Sequence, residues 1–202
     1  GKTTLLNAIL ARPLGQVITV LVNDFGEIAI DESLIVNKTG DTIALKNGCV
    51  CCTIGGDLYD AIDRILESSP RPDRLIIETS GVADPNKIIQ IAHAEPDLRA
   101  DRTVTLIDCV NFANNLGDPF LADSLLRQIQ AADLLVLTKT DLAAPDHVTQ
   151  LIDQLAITAP GVPIHTGRAP LATETLFGLS TRAAAPPHHG HDHDHGTEYA
   201  TW

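Results

Sequence analysis

Methionine is absent from all 202 residues, and the chain opens on Gly1. It is therefore expected to be part of a longer translated product. Apolar runs are also short: none approaches the roughly 18 to 20 residues of a membrane-spanning helix. No signal peptide opens the chain, so a cytoplasmic protein is expected. Basic residues are scarce, 14 Lys and Arg against 26 Asp and Glu, giving a net charge of −12. That balance argues against a nucleic-acid or anionic-membrane partner. Cysteine is scarce too. Of four cysteines, three fall in Cys49-Val50-Cys51-Cys52 and Cys109 stands alone in an apolar run. They are too few and too clustered for a secreted disulfide framework, and in a reducing compartment such a cluster binds metal or does redox work. Cys109 reads as a small buried hydrophobe.

What is present suffices for a core, with 44% apolar residues. Apolar runs at Val17–Val22, Leu75–Ile77, Val104–Ile107 and Leu134–Leu137 read as strands. The last three are nearly continuous, as strands covered on both faces of a parallel sheet are. Helical patterns lie between them. Leu58, Ala61, Ile62, Ile65 and Leu66 form one stripe, which Pro70 and Pro72 stop. Asp84-Pro85 reads as a cap and first turn, and further helices are expected near Leu121–Ala132 and Asp146–Ala156. Residues 1–180 thus read as a doubly wound α/β domain with a mainly parallel sheet. Residues 181–196, with His188, His189, His191, His193 and His195 alternating with Asp192 and Asp194, cannot build a buried element and read as a linker. Tyr199 and Trp202, in residues 197–202, look like the start of a strand in a further domain.

Three motifs sit in order along this frame. Gly1-Lys2-Thr3-Thr4 opens a helix and matches the end of a phosphate-binding P-loop. There Lys2 neutralises β/γ-phosphate charge and the Thr3 hydroxyl suits Mg²⁺, while the helix N–H groups attract phosphate oxygens. The strand ending in Glu78, followed by Thr79-Ser80-Gly81, offers a carboxylate for the metal's water shell and a free N–H at Gly81 near the γ-phosphate. Leu134–Leu137 leads into Thr138-Lys139-Thr140-Asp141, a guanine-reading pattern: Asp141 can accept from two ring donors that adenine lacks, and the Lys139 stem can lie along the base. Any one alone could be an ordinary strand or helix end. Together they predict a GTP site.

Thiolates are soft ligands suited to Zn²⁺ or other thiophilic metals. Cys49, Cys51 and Cys52 are too closely spaced for a closed four-cysteine site and point to an open, exchangeable one. The histidine run offers weaker, adaptable sites; a solvated linker that binds metal only incidentally is the alternative.

These residues resemble the CobW-type P-loop GTPases, the zinc- and cobalt-handling metallochaperones. The matching segments are Gly1–Leu6, Val22–Glu27, Asn47–Cys52, Glu78–Pro85 and Thr138–Leu142. The resemblance implies a P-loop fold lacking here its first strand and the start of its glycine loop, with the C-terminal domain reduced to a stump. It implies GTP hydrolysis with Mg²⁺, coupled to moving Zn²⁺ or Co²⁺ to a client metalloprotein, and a first switch segment at Asn23–Glu27. Glu27 is a candidate metal contact, and Glu27 and Asp24 are candidate bases for the attacking water. A homo-oligomer is compatible with this reading. Two rivals remain: a metal buffer or sensor with a vestigial nucleotide site, and a regulatory GTPase whose cysteines are redox-active.

Overall fold

The computed structural model describes residues 1–12, 15–22, 42–44, 56–167 and 171–178. Among them the chain runs α1 (Lys2–Leu10), β1 (Ile18–Val22), β2 (Thr42–Ala44), α2 (Gly56–Glu67), β3 (Arg74–Glu78) and α3 (Pro85–Ala94). It continues with β4 (Val104–Asp108), α4 (Phe112–Gly117), α5 (Ala122–Gln130), β5 (Leu134–Thr138), α6 (Pro145–Thr158), β6 (Ile164–His165) and α7 (Thr173–Leu176). Helix starts follow local chemistry. The Asp84 carboxylate accepts from the Asn86 N–H at 3.0 Å, with Pro85 in the first turn, so both expected capping features are in place.

Every strand pairing among the described residues is parallel. Hydrogen bonding divides the strands into two three-stranded ladders, β2-β1-β3 and β4-β5-β6. The middle strand β5 is buried from Leu134 to Leu137, which explains its unbroken apolar run.

Alternate residues of each strand feed opposite layers. Leu135 and Leu137 pack with Ile129 of α5 and Leu151 and Leu155 of α6, whereas Leu134 and Val136 pack with Ile9 of α1 and Leu176 of α7. Likewise Leu21 of β1 joins Leu58, Ile62 and Ile65 of α2 and Ile91 of α3, while Ile18 and Val20 meet Leu6 of α1. Helix α1 thus covers one face of both ladders, and Ile76 of β3 borders both of its clusters. A polar tie adds to this apolar bridge. Arg74 pairs with Asp101, just before β4, at 2.6 Å, and its guanidinium lies 4.5 Å from the centre of the Phe177 ring. The helices on both faces of parallel strands make this a doubly wound α/β domain.

The elements without a counterpart in the sequence reading are short: β2, β6, α4 and α7 hold too few residues to display a period. Asn23–Glu27, including Asp24 and Glu27, lies outside the described residues. So do Cys49, Cys51 and Cys52, the five histidines from His188 to His195, and Tyr199 and Trp202. No helix among the described residues is long and apolar enough to cross a membrane.

Candidate functional site

The amino end of α1 is the meeting point of the sequence motifs. Gly1 is its cap residue, and no side chain caps it. The first-turn N–H groups therefore have no acceptor within the helix. A β-carbon built on Gly1 would lie 3.6 Å from Leu106 of β4 and 3.8 Å from Thr138 at the end of β5. Lys2 reaches the other ladder: its Nζ donates to the Thr79 carbonyl at 2.8 Å and lies 3.4 Å from Glu78 Oε1. Thr3 is partly buried behind it and Thr4 is exposed. Helix α1 thereby brings the ends of β3 and β5 to one place.

Glu78 is buried, and among the described residues its second oxygen, Oε2, has no hydrogen-bond partner; neither does the buried Ser80 hydroxyl. Unsatisfied buried polar groups are costly, so these oxygens are groups that a ligand at this site could satisfy. Gly81 is exposed, and a β-carbon built on it would meet nothing within 4 Å among the described residues. Orphaned oxygens beside a lysine at an uncapped helix start fit a phosphate with its Mg²⁺.

The loop after Glu78 is fastened on its far side. Ser124 Oγ of α5 donates to the Val82 carbonyl at 3.0 Å, and Gln128 Nε2 donates to the Gly81 and Ala83 carbonyls, each at 2.9 Å. Three consecutive carbonyls are thus held by two side chains one helical turn apart.

The third motif forms the tight turn after β5. Thr138 Oγ1 donates to the Ile107 carbonyl at 3.1 Å, and Lys139 adopts φ +57°, a left-handed conformation unusual outside glycine. Lys139 Nζ donates to Asp108 Oδ2 at 2.6 Å. The same carboxylate accepts from the N–H groups of Val110 and Asn111 and from the Asn111 amide. Burial acts to raise the Asp108 pKa, but Lys139, Asn111 and those backbone donors outweigh it and lower it from 3.8 to about 2. Thr140 Oγ1 donates to the Thr166 carbonyl at 3.2 Å, tying the turn to the next loop. There Gly167, at φ +65°, leaves no room for a β-carbon, which would collide with the Leu137 carbonyl. Asp141 is exposed.

The structure therefore gathers Gly1, Lys2, Glu78 and Thr138 directly, with Gly81 and Lys139 on the loops that follow. Asp108, Ser124, Gln128 and Gly167 were not anticipated. Asp108 carried a signal, since like Glu78 it is an acid ending an apolar strand; the others had none. Cys109 is fully buried as expected, with its thiol pushed up by burial and by the Asp108 carboxylate. Among the described residues no group of three or more His, Cys, Asp or Glu is placed to hold a metal.

A lysine and strand-end carboxylate at a bare helix start, with a Thr-Lys-Thr-Asp turn beside them on parallel strands, define the P-loop class of nucleotide-binding domain. The family described as CobW/HypB/UreG, nucleotide-binding domain, matches residues 1–166, and the chain belongs to it. It is 31% identical to the zinc chaperone CobW of Sinorhizobium sp., across 98% of this chain and 66% of that protein. It is 35% identical to the zinc chaperone YjiA of Escherichia coli K12, across 82% of this chain and 53% of that protein. The solved structure of Zn(II)-bound YjiA GTPase from E. coli superimposes with a TM-score of 0.63 at 28% identity, covering 88% of this chain and 57% of that one. The chain thus spans about half to two thirds of these relatives.

Proposed function

We propose that the protein is a GTP-hydrolysing metallochaperone that binds Zn²⁺ or Co²⁺ at Cys49, Cys51 and Cys52 and passes it to a client metalloprotein under nucleotide control. The observation that carries the nucleotide half is the convergence of Lys2, the orphaned Glu78 oxygen and Thr138 around the start of α1. Lys2 binds β- and γ-phosphate oxygens, and the first-turn N–H groups of Thr3 and Thr4 add donors along the helix dipole. Thr3 and Glu78 are the residues that would hold Mg²⁺, whose charge polarises the phosphate oxygens. Gly81 presents its N–H where the γ-phosphate arrives. Asp141 accepts from the guanine ring, and Lys139 lies along the base. Because Asp141 is exposed, its discrimination depends on the base itself excluding water.

The thiolate chemistry of the cysteine cluster carries the metal half, and the relatives' description as zinc chaperones makes zinc the first cargo to test. In sequence the cluster lies between Asn23–Glu27 and Glu78–Gly81, so a rearrangement that follows the γ-phosphate can reach it. Coupling in the usual range of about 1 to 3 kcal/mol corresponds to a 5- to 150-fold change in metal affinity. None of the described residues offers a strong base for the attacking water, so slow intrinsic turnover is expected, with Asp24 and Glu27 as candidates.

The test is a Zn²⁺ titration with and without a non-hydrolysable GTP analogue, with Cys51→Ala as control. Different affinities that vanish in the variant support the reading. Equal affinities would remove nucleotide control and leave a metal buffer.

A further inference from the structure

We propose that Asp108 is the positioning residue for the guanine-contacting lysine, holding the Lys139 ammonium at the end of β4 so that its stem is ordered before the base arrives. The inference rests on the reading of Thr138–Asp141 as a guanine site. Its starting point is an asymmetry in how the two partners are held.

Asp108 is fixed independently of Lys139. Its Oδ1 accepts from the Val110 N–H at 3.0 Å and the Asn111 N–H at 3.3 Å, while Oδ2 accepts from Asn111 Nδ2 at 2.9 Å. Strand pairing sets Asp108 opposite Thr138, the residue before Lys139. The carboxylate is therefore a rigid point beside the turn.

Lys139 is the mobile partner. Its side chain is 46% exposed, and long lysine side chains lose much rotamer freedom when ordered. The contact at Asp108 Oδ2, together with the left-handed backbone of Lys139, limits the directions the stem can take. An ordered side chain costs a ligand less to engage than a free one. The pair also assigns the charge: Lys139 is neutralised by Asp108, as Lys2 faces Glu78 at the phosphate end. What separates them is place: Lys2 is held at Thr79 beside the start of α1 and Lys139 at Asp108 on the turn after β5, so removing Asp108 should affect di- and triphosphates alike.

The experiment is a double-mutant cycle of Asp108→Asn and Lys139→Met in the full chain. Equilibrium binding of GDP and of a non-hydrolysable GTP analogue is measured, with thermal melting to confirm folding. Asp108→Asn should weaken both nucleotides equally, about 3- to 10-fold, the scale of ordering one long side chain. In the Lys139→Met background the same substitution should change nothing further. An equal loss in both backgrounds would assign Asp108 to the Val110–Asn111 turn alone and overturn the proposal, as would no loss in either. If Asp108→Asn does not fold, Asp108→Glu takes its place in the cycle; failure of both makes Asp108 a folding residue and overturns it too. Asp141→Asn separates the two levels of inference. If it leaves the preference for GDP over ADP intact, the guanine-site reading fails. If it abolishes that preference while Asp108→Asn is silent, only the positioning role fails.

Discussion

Lys2, at the start of α1, sets its ammonium 3.4 Å from Glu78 Oε1 at the end of β3. Phosphate and carboxylate therefore compete for one cation. Glu78 is also the more enclosed partner, its side chain 7% exposed against 39% for Lys2.

Replacing Glu78 with Gln should separate binding from turnover. Without the carboxylate, Lys2 is free for phosphate, so GDP affinity should hold or rise, while single-turnover hydrolysis should fall by about 10²-fold or more, the scale of one lost transition-state electrostatic contact. Parallel loss of affinity and rate would contradict this division of roles.

Gln128→Leu should loosen the loop after Glu78 without emptying the core. It removes the donors to Gly81 and Ala83, which should cost about 1 to 3 kcal/mol through unsatisfied carbonyls. Hydrogen exchange should quicken at the 81–83 amides and stay unchanged in β5.

Gly167→Ala combines a left-handed φ with a collision at the Leu137 carbonyl. The expected loss is about 2 to 4 kcal/mol, from strain and displacement of the β5 end. Denaturant midpoints provide the measure, and a neutral result would mean that the loop moves freely.

Asp108 makes stability pH-dependent in a defined window. Its folded pKa, about 2, lies below its ordinary value of 3.8. The ionised form is thus favoured by folding, and the contribution is complete above pH 3.8 and lost as pH falls through 2. Discounted for the carboxylate's contact with solvent, the shift corresponds to about 1 kcal/mol. Asp108→Asn should therefore be less stable than the parent near neutrality, and the gap should close on acidification through that window. A gap that stays constant would show that the carboxylate's charge is not what the fold uses.

Much of this was legible from residues in a row. The apolar run Leu134–Leu137 announced a strand buried on both faces, and Asp84-Pro85 announced the start of α3, because periodicity and capping are local. Motif chemistry placed Lys2 and Glu78 in one phosphate and Mg²⁺ site, but their direct contact at 3.4 Å was visible only in the structure. The Gln128 clamp did not, because an amide on a polar helix face carries no pattern until the opposing carbonyls are in place. The same holds for the division into two ladders, since an apolar strand says nothing about which neighbour it pairs with. Asp108 was half legible: an acid at the end of β4 was visible, but its lysine lay across the ladder.

The depth of Cys109 has a practical consequence. Its sulfur has no exposed surface and its pKa is raised, so alkylating reagents should pass it over while the protein is native. Any rapid thiol labelling of the native protein must then come from the other three cysteines, so a test of zinc protection need not mutate the fourth sulfur away.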